Sequence, residues 1–211
     1  MVLTPDQRDR ARVLEAAFVE TIRLHEYVMK QDPRPILEAV DAISSAFDRG
    51  GRVLVFGNGG SAADAQHFAA ELVGRFARER RALAAIALTT DTSVLTSIGN
   101  DYSFDRVFAR QIEALGQAGD VAFGISTSGA SRNVLAAFAV AKQAGLTTIG
   151  LTGGDGGPIG ASADVHVNVP VRLTARAQEV HRTILHVMCE LIEAGLDQRQ
   201  GPEAGGQGPG A

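Results

Sequence analysis

VLVFGNGGSAADAQHFAAEL (53–72) runs from four consecutive apolar residues, through a glycine-rich turn, into a segment of helical periodicity. An apolar run without alternation is the pattern of a strand buried on both faces, and such strands belong to parallel sheets with helices on either side. The unit recurs along the chain. Val53–Phe56, Leu83–Leu88, Val121–Ile125, Thr147–Leu151 and Val165–Val169 read as strands; Ala62–Arg78, Thr92–Ile98 with Phe104–Leu115, and Arg132–Ala144 read as the helices between them. Strand–helix alternation predicts an α/β fold, a single doubly wound five-stranded parallel sheet flanked by helices.

Upstream, Thr4-Pro5-Asp6-Gln7 is a helix start: Thr4 can cap, Pro5 suits the first turn and Gln7 completes a capping box. Leu14, Phe18, Ile22 and Met29 then form an apolar stripe to about Lys30, and a second helix follows from Pro35 to Asp48 with Ile36, Leu37, Val40, Ile43 and Phe47 inward. Residues 1–50 are thus a helical N-terminal part of one domain extending to about residue 200, closed by a long helix from Thr174 to Leu196. From Gly201 the chain reads GPEAGGQGPGA, a Gly/Pro-rich tail with nothing to bury and an expectation of disorder.

Composition narrows the classes. The 211 residues are 45% hydrophobic with a net charge of −4, which suits one domain with a sizeable core and disfavours a basic nucleic-acid face. The single cysteine, Cys189, cannot form an internal disulfide, in keeping with a reducing compartment, and a lone cysteine in a helix packs as a small hydrophobe. The polar N-terminus lacks the apolar core of a signal peptide, and no apolar run approaches the roughly 18 residues of a membrane span. The expected setting is the cytoplasm.

In open α/β sheets, ligands bind at the carboxyl ends of the strands. The first strand is followed there by Gly57-Asn58-Gly59-Gly60-Ser61, where glycines allow close backbone approach and a helix start offers free N–H groups. The third is followed by Ser126-Thr127-Ser128-Gly129-Ala130-Ser131, four hydroxyls in six residues, again at a helix start. Hydroxyls and helix N–H groups can hold a phosphate without Lys or Arg. Each loop alone is equally a turn and a cap; two such loops in one sheet favour a ligand site. Gly57-x-Gly59-x-x-Ala62 also fits a dinucleotide fingerprint, but the acidic residue that motif needs at the end of the second strand is missing, Asp91 coming too late.

His67 and Glu71 stand four apart on one helix face, and Gln178 and His186 stand eight apart, close to one face of the last helix. The four could converge on a metal or serve as acid and base; spacing alone equally allows a surface pair. Arg75, Arg78, Arg80 and Arg81 read as a solvated helix end, with Arg75 best placed to reach a site, and Glu179 and His181 read as exposed neighbours of Gln178. Gly153–Pro158 is a loop without assigned chemistry.

Taken together, GNGGSAADAQHFAAEL (57–72), GND (99–101), GISTSGAS (124–131), LTGGDGG (151–157) and TARAQEVHRTILH (174–186) resemble the phosphoheptose isomerases of the sugar isomerase (SIS) domain superfamily, a flavodoxin-like fold, over about residues 10–196. The resemblance implies conversion of sedoheptulose 7-phosphate to D-glycero-D-manno-heptose 7-phosphate, the first step of nucleotide-activated heptose biosynthesis. It implies a phosphate on Ser126, Thr127, Ser128 and Ser131, a sugar site lined by Asn58, Gly59, Gly60, Ser61, Asn100, Asp101 and Gln178, and Glu71 with His186 as acid–base pair. It further implies Zn²⁺ held by His67, Glu71, Gln178 and His186, and a homotetramer with active sites at subunit interfaces. Ala177 departs from the larger apolar residue that relatives carry before the Gln. Relatives that bind the replication initiator lack the Glu and the second His, and both are present here. Other ketose-phosphate isomerases, sugar-phosphate lyases and regulatory sugar-phosphate sensors share the superfamily but are disfavoured by the His67/Glu71/Gln178/His186 set or by the lack of room for a DNA-binding domain. The partner expected is a small sugar phosphate, with neither nucleic acid nor membrane.

Overall fold

The computed structural model describes residues 4–200, with side chains described through Leu196; the tail expected to be disordered, from Gly201, lies outside the described residues. Two helices lead in, α1 (Pro5–Met29) and α2 (Arg34–Asp48). The α/β part follows as β1 (Val53–Gly57), α3 (Gly60–Val73), β2 (Ala85–Ala87), α4 (Thr92–Asp101), α5 (Ala109–Leu115), β3 (Val121–Ser126), α6 (Arg132–Gln143), β4 (Thr147–Gly153), α7 (Gly157–Ser162), β5 (Val165–Val169) and α8 (Thr174–Gln200). The capping box forms as expected, Thr4 Oγ1 accepting from the Gln7 N–H at 3.3 Å and Gln7 Oε1 accepting from the Thr4 N–H at 2.9 Å.

The strands lie parallel in the order β2-β1-β3-β4-β5. Successive residues of β1 feed opposite cores. Val53 and Val55 join Phe68, Leu72, Phe123, Ile184 and Met188 on one side, while Leu54 and Phe56 join Phe108, Ile112 and Phe138 on the other. Every residue of β1 and β3 is buried, which is why these strands read as unbroken apolar runs. Phe68 meets Phe123 edge-on at 5.4 Å and Phe56 meets Phe138 edge-on at 6.1 Å, so one aromatic pair pins a helix to each face.

Chain order reverses between β1 and β3, the topological switch point at which a crevice opens beyond the carboxyl ends of the strands. Gly57 is in register with Ile125, so the glycine loop and the hydroxyl loop emerge side by side.

Several expectations need correction. α3 ends at Val73 rather than Arg78, because the carbonyls of its last turn are taken by the Arg80 side chain instead of by further helix. Gly153–Pro158 is not all loop, since α7 begins at Gly157 and carries Ile159 into the core. Leu37, expected inward, is 44% exposed. The apolar stripe of α1 exists but is uncovered within the chain: no residue of α1 is buried, and Leu14, Phe18, Ile22 and Met29 all face out.

Candidate active site

The two switch-point loops enclose a cleft of about 270 Å³ lined by Asn58, Gly59, Gly60, Ser61, residues 125–128, Ser131, Thr174 and Gln178. None of these is Lys or Arg. The Ser126 hydroxyl lies 2.9 Å from that of Ser131 and 3.4 Å from that of Ser128, a tight group of donors at the start of α6. The loop turns through Gly129 (φ +65°), whose α-carbon packs so closely on the Gly156 carbonyl that an added Cβ would lie 2.3 Å from its oxygen. The Ile159 N–H donates to Gly129 O at 2.9 Å, so α7 braces the hydroxyl loop from behind. The segment to which sequence assigned no chemistry is the wall that shapes this loop.

On the other side of the cleft, Gly59 (φ +55°) turns the chain into α3. Gly60 meets Gln178 of α8: a Cβ there would lie 2.3 Å from Gln178 Nε2, so only glycine lets the amide reach over the loop. The Asn58 side chain is engaged within the protein. Its amide and that of the buried Asn133 exchange two hydrogen bonds, at 2.9 and 2.8 Å, tying the starts of α3 and α6 together. Asn133 was not foreseen; a polar residue one position into a helix after a serine-rich loop carries no signal of its partner 75 residues away.

Beyond the cleft, α3 and α8 bring His67, Glu71 and His186 together. His67 Nε2 lies 2.7 Å from His186 Nε2 and 3.4 Å from Glu71 Oε1, and the donor atoms of all three fall within 4.8 Å of one another. At 2.7 Å only one proton fits between the two ring nitrogens, so one imidazole donates to the other. Two imidazole nitrogens and a carboxylate oxygen are a donor set that zinc accepts, and the residues fit such an ion. Gln178 sits about two turns earlier on α8, over Gly60. The Phe76 ring packs on His186 with centroids 5.4 Å apart.

Other residues fall differently from expectation. Asn100 and Asp101 end α4, both exposed, with Asn100 donating to Asp101 at 2.8 Å; they do not line the cleft of their own chain. Arg75 is exposed beside Glu79, whereas Arg80 is no solvated helix end but has a side chain only 2% exposed against an equally buried Glu193. His181, read as exposed, is fully buried; its Nε2 donates to Thr152 O at 2.9 Å, and burial holds its pKa below the usual histidine value. Burial pushes the Cys189 thiol up to about 12, in keeping with packing rather than reactivity.

The SIS domain family model matches residues 18–153. The phosphoheptose isomerase of Geobacter metallireducens is 54% identical over 179 residues, covering 83% of this chain and 95% of that protein. Two solved structures superpose closely. The phosphoheptose isomerase from Neisseria gonorrhoeae has a TM-score of 0.83 at 48% identity, over 87% of this chain and 98% of its own, and that from Francisella tularensis has 0.84 at 37% identity, over 88% and 98%. By sequence along most of its length, and by the fold that carries the cleft, this chain belongs to the phosphoheptose isomerase family of SIS-domain proteins.

Proposed function

We propose that the protein interconverts sedoheptulose 7-phosphate and D-glycero-D-manno-heptose 7-phosphate, opening nucleotide-activated heptose biosynthesis. The observation that carries this reading is the meeting of Glu71 with His67 and His186 beside a hydroxyl-lined cleft, in a member of this family. The C7 phosphate would rest on Ser126, Thr127, Ser128 and Ser131, with the backbone of Asn58, Gly59, Gly60 and Ser61 and the Gln178 amide along the sugar. Glu71, as base, would take the C1 proton of the open-chain ketose while His186 hands a proton to the C2 carbonyl oxygen, giving the enediol. Return of a proton to C2 with loss of the O1 proton completes the aldose.

His67, Glu71, Gln178 and His186 would hold a zinc ion, which when bound supplies Lewis-acid polarisation of the substrate oxygens. Zinc content by elemental assay, and its loss from His67→Ala, test this.

A homotetramer accounts for two features at once. The uncovered apolar face of α1 needs a partner, and the exposed Asn100 and Asp101 are free to complete a site on another subunit. No helix among the described residues is long and apolar enough to cross a membrane, and the proposed setting is the cytoplasm. Incubation with sedoheptulose 7-phosphate, followed by NMR, tests the substrate. Turnover of a pentulose or hexulose phosphate with this ketose inert would overturn it.

A further inference from the structure

Arg80 and Glu193 form a buried pair at 3.1 Å, each side chain 2% exposed, that no catalytic step above uses. A buried pair of charges is weak evidence for stability in itself, because desolvation opposes the attraction. What distinguishes this one is where its other hydrogen bonds go. Arg80 Nη2 donates to the backbone carbonyl of Glu71 at 2.7 Å, and Nη1 donates to Leu72 O at 2.9 Å and Gly74 O at 3.0 Å. These carbonyls close α3, the helix bearing His67 and Glu71, and the last carbonyls of a helix have no partner within it. Glu193 stands on α8 seven residues, or two turns, beyond His186. Its two oxygens accept from the backbone N–H groups of Phe76 at 2.8 Å, Ala77 at 3.0 Å and Arg78 at 2.9 Å. Phe76 in turn lays its ring against His186.

We infer that the Arg80–Glu193 pair is a positioning device for the acid–base residues, fixing the end of α3 to α8 so that Glu71 and His186 face the same carbon atoms. This rests on the isomerase reading. The guanidinium fork reaches four carbonyls, those of Glu71, Leu72, Gly74 and Arg81, and a carboxylate, which a lysine ammonium, a point charge, cannot reproduce. Neither Arg80 nor Glu193 lines the cleft between the glycine and hydroxyl loops, so the pair acts on the acid–base residues rather than on the substrate.

The test compares wild type, Arg80→Lys, Arg80→Ala with and without added guanidinium, and the double variant Arg80→Met/Glu193→Met. The double variant removes both charges together, so that neither charge is left unpaired in the interior. A folded variant should lose about 10²-fold in kcat, the scale for a misplacement of about 1 Å, with KM held within about twofold. Arg80→Lys should fall between, and guanidinium should restore part of the Arg80→Ala loss. In a crystal structure of the double variant the two histidine Nε2 atoms should separate beyond their wild-type spacing. Wild-type kcat in any folded double variant, or kcat and KM moving together without guanidinium rescue, overturns the inference. So does failure of every variant to fold, which would make the pair a folding requirement. If wild type itself is inert on the sugar while the histidine spacing widens in the variant, the substrate is wrong and the positioning stands.

Discussion

His67 and His186 are 119 residues apart in the chain, and their Nε2 atoms lie 2.7 Å apart. The contact exists because α3 and α8 pack on the same face of the sheet, sharing Phe68, Leu72, Ile184 and Met188 in one core. It places Glu71, one turn after His67, within reach of both rings.

Removing the titratable groups separates proton transfer from binding. Glu71→Gln and His186→Gln should each lower turnover by about 10²–10⁴-fold while the circular dichroism spectrum stays that of wild type. Gln178→Ala has no proton to lose and should raise KM or lower zinc content more than it lowers kcat. Near-normal turnover by Glu71→Gln would make the cluster structural and bring forward the initiator-binding alternative.

Thr127→Ala tests the phosphate loop. A hydrogen bond to a charged group is worth about 1.5–3 kcal/mol, so KM should rise on the order of tenfold to a hundredfold. Unchanged kinetics would move the phosphate elsewhere.

Gly60 in the cleft wall and Gly129 in the turn of the hydroxyl loop should respond in opposite ways. In Gly60→Ala the new methyl meets the far end of the Gln178 side chain, which can swing away; substrate affinity should fall with little change in Tm. In Gly129→Ala the methyl meets the Gly156 backbone, and the left-handed φ of +65° disfavours any side chain, so Tm should fall by several degrees. Calorimetry with a KM measurement on both variants reads the contrast. A larger Tm loss for Gly60→Ala would contradict it.

Light scattering at micromolar concentration should give about four subunits, and Phe18→Asp, on the uncovered face of α1, should lower that number. A fully active monomer would rule out sites shared between subunits.

Acid should weaken the fold through His181. Its folded pKa lies below the usual 6.5 because burial penalises the charged ring, partly offset by the Thr152 carbonyl and Asp64. The unfolded chain therefore binds the proton first. Stability is full above pH 6.5 and declines as pH falls from there towards the folded value. Urea midpoints between pH 7.5 and 5 should drop for wild type and change less for His181→Gln, whose amide can still donate to Thr152 O. Equal slopes would assign the acid response to other groups.

The sequence by itself determined the sheet, its helices and the two loops at the switch point, because these depend on local properties: an apolar run of strand length, a helical period, a glycine where the chain must turn left-handed. It also put His67 and Glu71 on one helix face, since that follows from 3.6 residues per turn. Tertiary structure alone decided which polar residues are buried. Arg80 and His181 look like surface residues in any window of sequence, and become interior only because Glu193 and the Thr152 carbonyl arrive from distant segments to satisfy them. The same holds for the Asn58–Asn133 pair, for Gln178 over Gly60, and for the placing of Asn100 and Asp101 outside their own cleft. A charge or amide tolerates burial only when its partner is present, and the identity of that partner is a property of packing between elements, which no local pattern encodes.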